Sequence, residues 1–396
     1  MATVQTYDLG AIRAALPALT EVTYMNSGTE GIMAEPVLKA YLEVLERFER
    51  FGHWARHDLA GEFVRAREKF GALVNASVDE VGVTRSGTDG CSFVIGAFDF
   101  KPGDEILISD QEHPAILYPA FALQTTAGVK VKIFKLDHDP AKTLEAFGAQ
   151  LGPRTRPAAF SHVSCETGIR VPAKAMIDVA HERGARVLLD GAQSVGVFPV
   201  DFPALGCDYL TGSSHKWLCG PKGTGLLVVR KDRLDDLTPR YVGGGSFDQF
   251  PYEQLDQPET IQVAFAPSAS RFEFGMRSPA VYAGLSAAID YLNEIGFQAI
   301  ADHEREINSL LKRRLAETPG VVVQTPMEWE RSSALVNFRV EGVSGRDLGA
   351  KLWNDWKIVQ RPVREPSGVR LSTAYFSSPE DVDRVIEAVT AIRDGR

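Results

Sequence analysis

The run SSHKWLCGPKGTG, Ser213 to Gly225, sets Lys216 among small, polar and turn-forming residues between two strand-like segments. Most lysines are solvated surface charges. This composition instead suits a site, where an ε-amine can condense with a carbonyl cofactor as a Schiff base. Asp190 ends the apolar run ARVLLD, and Gly191 follows it. Ligands of open α/β sheets gather at the carboxyl ends of strands, where Asp190 falls; an isolated strand-terminal Asp serves equally well as a helix cap. In VTRSGTDGCSFVIGAF, Val83 to Phe98, Gly87 and Thr88 stand at a strand-to-helix turn. Backbone N–H groups and a hydroxyl there can hold a phosphate. His113, just past EILIS, is either a loop histidine or an imidazole that stacks on a flat ring.

In chain order these pieces are a phosphate cradle, a stacking histidine, a carboxylate and a lysine. Pyridoxal phosphate needs such parts: a lysine for its aldehyde, an acid for its pyridine nitrogen and a cup for its phosphate. The sequence has no GxGxxG and no Walker A motif, which argues against a dinucleotide or nucleotide site. A module that only binds the cofactor would be expected to lack Lys216 or Asp190, and both are present.

The elements that must position these residues follow from apolar runs. Strand-like segments are Glu105–Ser109, Val129–Leu136, Pro157–Val163, Ala185–Leu189 and Gly225–Val229, with helical patterns such as Pro36–Arg50 and Pro172–Glu182 around them. Such alternation predicts an α/β fold, a mostly parallel sheet between helices. After about Ser278 the pattern changes to helices Val281–Ile295 and Gln298–Thr318. Strands Val321–Val323, Ala334–Val340 and Val369–Ser372 and a helix Pro379–Arg393 follow. The predicted organisation is an N-terminal segment 1–20, a large cofactor-binding domain 21–280 and a small C-terminal α+β domain 281–396.

The 396 residues carry a formal charge of −9 with 44% apolar and 24% charged residues, ordinary values for a globular chain. Mild acidity without a basic cluster argues against nucleic acid as a partner. No stretch is apolar enough to span a membrane, and MATVQTYDLG lacks the basic and apolar regions of a secretory leader. Cys91, Cys165, Cys207 and Cys219 show no metal spacing, so no metal site is expected. Free thiols and no leader predict a cytoplasmic protein.

Asp190-Gly191-Ala192-Gln193, followed by Ser213-Ser214-His215-Lys216 and Gly220–Gly225, resembles the class V aminotransferase, or cysteine desulfurase-like, family of fold type I pyridoxal-phosphate enzymes. Tyr24–Gly28, Glu112-His113-Pro114, Arg271-Phe272-Glu273 and Val369–Ser372 extend the resemblance over most of the chain. It implies that Lys216 holds the cofactor and later moves the Cα proton, that Asp190 pairs with the pyridine nitrogen, and that Gln193 bonds the phenolic oxygen. His113 would stack on the ring, and Gly87, Thr88, Ser213 and His215 would hold the phosphate. The resemblance also implies a homodimer with active sites near the interface and a residue after the RFE segment reaching the partner's phosphate. That position is Met276, which cannot donate a side-chain hydrogen bond, so its backbone, Arg277 or Ser278 would act instead.

Within the family, desulfurases use a cysteine before the carboxylate-binding arginine. Here that stretch, IVQRPVREPSGVRLS from Ile358 to Ser372, has none. It has Arg361, Arg364 and Arg370, and arginine forks match carboxylates. Arg370 matches the family's substrate-carboxylate arginine, and Arg361 matches a second arginine of cystine C–S lyases. Asn26, in Tyr24-Met25-Asn26, is a further candidate for binding an amino-acid substrate, and Cys165, Glu166 and the Gly243–Gly245 loop are candidates to face it. The resemblance thus implies β-elimination from a cysteine-derived small molecule. Transamination, epimerisation and decarboxylation with deamination are the alternatives, and isopenicillin N epimerase-like members also share these motifs.

Overall fold

The structure is a computed structural model that describes residues 7–395. Residues 1–6, which carry much of the leaderless reading and the start of the 1–20 segment, and Arg396 lie outside the described residues. In chain order the strands are β1 (Thr23–Tyr24), β2 (Val81–Thr84), β3 (Glu105–Ser109), β4 (Lys130–Phe134), β5 (Thr155–Ser161), β6 (Arg186–Asp190), β7 (Tyr209–Ser213), β8 (Gly225–Val229), β9 (Val321–Val323), β10 (Leu335–Val340), β11 (Ile358–Val359), β12 (Arg361–Val363) and β13 (Gly368–Ser372). The α-helices are α1 (Leu9–Ala14), α2 (Glu35–Phe51), α3 (His53–Leu59), α4 (Gly61–Val74), α5 (Gly87–Ala97), α6 (Pro114–Ala127), α7 (Pro140–Gln150), α8 (Ala173–Glu182), α9 (Phe202–Leu205), α10 (Pro279–Ile295), α11 (Phe297–Glu317), α12 (Gly345–Asn354) and α13 (Pro379–Arg393).

Seven strands form the large sheet in the order β2-β8-β7-β6-β5-β3-β4. Strands β3 to β7 run parallel, and β8 runs antiparallel to both β7 and β2. The continuous apolar character of these strands has a direct cause, since both faces of the sheet are covered and successive side chains point to opposite sides. Val187 and Leu189 of β6 enter one apolar cluster with α4 and α8, whereas Leu188 enters a second with α5 and α6. Strand β8 divides in the same way, Leu226 and Val228 against Leu227 and Val229.

A four-stranded antiparallel sheet, β12-β13-β10-β9, packs with α11, α12 and α13 around a third cluster. The short β1 pairs in parallel with β11 as a separate two-stranded sheet, and Asn26 just after it bridges to Ser372 of the smaller sheet. No helix among the described residues is long and apolar enough to cross a membrane.

Local signals explain where the elements near the site begin. Helix α5 is capped by Ser86, whose Oγ accepts from Asp89 N at 3.3 Å, satisfying one of the donors every helix start leaves free. His113 caps α6 through Nδ1, which accepts from Ala115 N at 3.1 Å, and Pro114 takes the first helical position, where a missing N–H costs nothing. The chain continues as helix through Pro119.

Gly225 pairs with both Thr84 and Ser213. A Cβ there would meet the Ser86 carbonyl carbon at 2.3 Å, and backbone cannot swing aside as a side-chain tip can. Gly225→Ala is therefore expected to displace the start of α5 and to destabilise the protein by about 1–3 kcal/mol. Gly96→Ala, within the same helix and with nothing within 4 Å of the added carbon, is expected to be neutral or stabilising by up to about 1 kcal/mol. Thermal melts followed by circular dichroism check both; equal melting temperatures for the two variants would refute the contact argument.

Candidate active site

The carboxyl ends of β6 and β7 and the starts of α5 and α6 converge on one pocket. Nine of the eleven candidate residues line it: Gly87, Thr88, His113, Asp190, Gln193, Ser213, His215, Lys216 and Arg361. Asn26 and Arg370 lie behind its wall. The pocket also takes in Gly28, Thr29 and Ser86.

Asp190 ends β6 opposite Thr211 of β7 and Ser161 of β5. Its Oδ1 accepts from Ala192 N at 2.9 Å and from Thr211 Oγ1 at 3.3 Å. Its Oδ2 has no hydrogen-bond partner among the described residues. One oxygen is thus clamped and the other remains for a ligand. Lys216 sits three residues beyond β7. It lies deep in the molecule yet opens to the pocket, with no ion pair among the described residues. Burial lowers its pKa below the usual lysine range, Asp190 acting against the shift. Desolvation disfavours the charged ammonium, so the amine gives up its proton more readily than a surface lysine.

His113 is held in the pocket by its own capping bond. Because Nδ1 accepts from Ala115 N, the ring hydrogen belongs on Nε2. Burial first, and then Lys216, lower its pKa, so the ring is neutral and suited to stacking. Gln193 is fixed at both ends, Nε2 donating to Gly28 O at 2.8 Å and Oε1 accepting from Trp217 Nε1 at 3.0 Å. One N–H of its amide remains free to donate.

At the other end of the pocket, Gly87 N–H points at Ser213 Oγ, 3.1 Å away. His215 Nδ1 is buried without a partner, and burial followed by Lys216 lowers the pKa of its ring. The residues present fit pyridoxal phosphate. A helix start with Gly87, Thr88, Ser213 and an unpaired His215 nitrogen suits the phosphate, the free Asp190 oxygen suits the ring nitrogen, and Lys216 suits the aldehyde.

Arg370 is fully buried. Nη1 donates to Cys165 O and Nη2 to Thr29 Oγ1, each at 2.7 Å. Nε is buried with no partner, and no acid among the described residues pairs with the guanidinium. Burial and then Arg361 pull its pKa down to about 10. Arg361 stands directly across from it in the β12–β13 register, and pairs with Glu166 at 3.1 Å. Like charges opposite one another on a sheet repel, and a buried cation without a counter-ion is costly. The pair is arranged for an anion. Asn26 bridges to Ser372, and its Oδ1 is buried and unpartnered.

The Gly243–Gly245 stretch forms a turn closed by Ser246 and lies outside this chain's pocket. Cys165 contributes its carbonyl, to Arg370. Met276 is 75% exposed, whereas Arg277 is bound to Glu273 at 2.7 Å and the Ser278 hydroxyl is buried without a partner. Sequence reasoning did not single out Thr29, Thr211 or Trp217. Trp217 adjoins Lys216 and Thr29 adjoins the Tyr24–Gly28 segment, which are the signals that could have found them.

A family model described as Aminotransferase class-V matches residues 23–385. The chain is 31% identical to a probable cysteine desulfurase 2 of Mycobacterium leprae, over 98% of this chain and 97% of that protein. It is 30% identical to isopenicillin N epimerase of Streptomyces clavuligerus, over 83% and 84% of the two. Among solved structures, the cystine C–S lyase C-DES in complex with cysteine persulfide covers 95% of this chain and 99% of its own, with 27% identity and a TM-score of 0.86. A C-DES mutant with glycine covalently linked to its PLP cofactor covers 96% and 98%, with 27% identity and a TM-score of 0.87.

Borohydride reduction of the protein saturated with pyridoxal phosphate is expected to leave a stable mass increment on the tryptic peptide containing Lys216, and none in Lys216→Ala. Peptide mass spectrometry checks it, and an unmodified Lys216 peptide in a folded, saturated sample would refute it.

Proposed function

The chain belongs to the class V aminotransferase family and uses pyridoxal phosphate in a fold type I scaffold, and on that premise we propose that it catalyses β-elimination from a cysteine-derived substrate. The substrate is cystine or a cysteine S-conjugate, and the products are pyruvate, ammonia and a thiol or persulfide. The observation that carries this reading is the state of the thiols. All four cysteines are free and buried, and burial pushes the Cys165 thiol up to about 11 and the Cys219 thiol up to about 12. A sulfur acceptor must be an accessible thiolate. None is offered, so the sulfur departs with the leaving group. Unpaired thiols also favour a reducing, cytoplasmic setting.

Bound pyridoxal phosphate supplies an electron sink for the pair left on Cα. The protein does the rest. Arg370 and Arg361 bind the substrate carboxylate, which fixes the orientation of the Cα–H bond. Lys216, its basicity lowered by burial, takes the Cα proton as general base. Asp190 keeps a proton on the ring nitrogen, since a nearby anion favours the charged form. The Cβ–S bond breaks with its electron pair on sulfur. The released enamine adds water to give pyruvate and ammonia. His113 stacks on the ring, Gln193 donates to the phenolic oxygen, and Gly87, Thr88, Ser213 and His215 hold the phosphate.

The same reading makes the enzyme a homodimer. Its support is the exposure of Tyr241, Val242 and Met276 around Phe274, on which Tyr241 stacks with ring centroids 5.7 Å apart. Exposed apolar clusters of this kind mark contact surfaces. Sedimentation velocity is expected to give a dimer, with Met276→Asp shifted toward monomer. A wild-type monomer at micromolar concentration would refute it.

With cystine or a bulkier S-conjugate, pyruvate and ammonia are expected in equal amounts. Arg370→Ala is expected to raise KM by about tenfold or more while the bound cofactor's absorbance is unchanged. Alanine as the product would mean desulfuration, and a new amino acid formed from an added keto acid would mean transamination; either would overturn the lyase reading.

A further inference from the structure

Beside the pocket, on the other side of Arg361, lies a second and larger cavity. Arg361 lines both. The outer cavity, about 830 Å³, lies between the loops that follow β3, β4 and β5 on one side and the edge strand β12 with its following turn on the other. Its walls mix charged and amide side chains with Leu136, Ile169, Pro362 and Pro366. Two donor groups in it are unsatisfied. Gln111 accepts through Oε1 from the hydroxyls of Ser164 and Thr167, which fixes the amide and leaves both its N–H groups without a partner among the described residues. Arg364 is exposed in the cavity wall and makes no ion pair or hydrogen bond among the described residues, unlike its neighbour Arg361.

The acids around the cavity are not equivalent, and Glu365, next to Arg364, lines it with no ion pair among the described residues. Glu166 is neutralised by Arg361. Glu112 is buried against Ser109 and Ser161, and burial raises its pKa to about 7. Asp110 and Asp137 each accept one backbone N–H, from Leu136 at 3.0 Å and from Asp139 at 2.8 Å, and each keeps a second oxygen free. The cavity therefore holds an unpaired cation and free amide donors together with a free anionic edge. That pattern complements a zwitterion.

We propose that this cavity is a leaving-group subsite, with Arg364 and Gln111 as specificity-determining residues. They bind a carboxylate on the far side of the scissile sulfur, and Asp110 and Asp137 face an ammonium beside it. The proposal rests on the elimination reading above and narrows its substrate class to disulfides or thioethers whose leaving half is itself amino-acid-like. Arg370 and Arg361 bind the carboxylate of the reacting half. Arg364 reads the departing half.

A series of mixed disulfides of L-cysteine with methanethiol, cysteamine, 3-mercaptopropionate and cysteine tests this on the holoenzyme. Every member releases a persulfide from the same Cβ, and the cysteamine and 3-mercaptopropionate members differ chiefly in the sign of the distal charge. The wild type is expected to prefer the two carboxylate-bearing members. Arg364→Gln should lose about tenfold in kcat/KM for those two, the worth of one charge-assisted contact, and under about twofold for the other two. Arg364→Glu should turn the preference toward the cysteamine disulfide. An equal loss for all four, or an unchanged carboxylate preference, would overturn the proposal. If no member yields pyruvate, the elimination reading fails instead. The subsite is then judged from the apparent Kd for each disulfide, read as the change in cofactor absorbance on binding. In that case a carboxylate preference abolished in Arg364→Gln supports it and its persistence overturns it.

Discussion

Two cationic side chains, Lys216 and Arg370, lie deep in the molecule with no acid in ion-pair contact, and the surrounding structure is organised by that imbalance. Removing a charge from water is costly unless something replaces the hydration. Asp190, the carboxylate that acts on Lys216, is already clamped by Ala192 and Thr211 and has one oxygen to give. Arg361 increases the positive charge, standing across from Arg370 in the same sheet. Lys216 answers the cost by a lowered pKa, which turns a desolvation penalty into nucleophilicity. Arg370 cannot shed its charge near neutrality, so its need is met by an incoming carboxylate. On the function proposed above, one electrostatic condition accounts for both the reactivity of the amine and the binding of a substrate carboxylate.

The short strap from Asn26 to Gly31 holds the parts of the site in register. Gly28 O accepts from Gln193, Thr29 Oγ1 accepts from Arg370, and Gly31 donates to His215 O at 2.6 Å. A Cβ on Gly31 would meet Lys216 O at 2.1 Å, so the strap passes the lysine backbone as closely as any residue permits. The strap follows β1, which pairs with β11, and Asn26 at its start bridges to Ser372 of the smaller sheet. Cofactor-side and substrate-side groups are therefore tied to one piece of chain.

What the sequence revealed follows from how local each signal is. The apolar runs of β3, β5, β6 and β8 were readable because a strand buried on both faces leaves no polar alternation to confuse it. Asp190 stood out because it ends such a run, and Lys216 because small, polar and turn-forming residues surround it. Helix α6 was not readable, since Pro119 interrupts its pattern, and β12 was not, since three residues with a central proline resemble a loop. Strand β2 is four residues long and contains a glycine. The contact of Arg370 with Thr29 joins positions 341 residues apart, and the pairing of Arg361 with Glu166 spans 195. No local pattern encodes such distances; the sheet registers create them.

Strand β12, which carries Arg361 and leads into Arg364, has a neighbour on one side only. An edge strand can exchange outward-facing side chains without disturbing a ladder on its free side. Asp190 and Lys216, by contrast, belong to strands or turns enclosed by packed neighbours. Substitution at the exposed Arg364, just past β12, is therefore expected to disturb the fold less than substitution around β6 and β7. On the reading proposed above, the chemistry of the outer cavity can change while Asp190 and Lys216 stay in place.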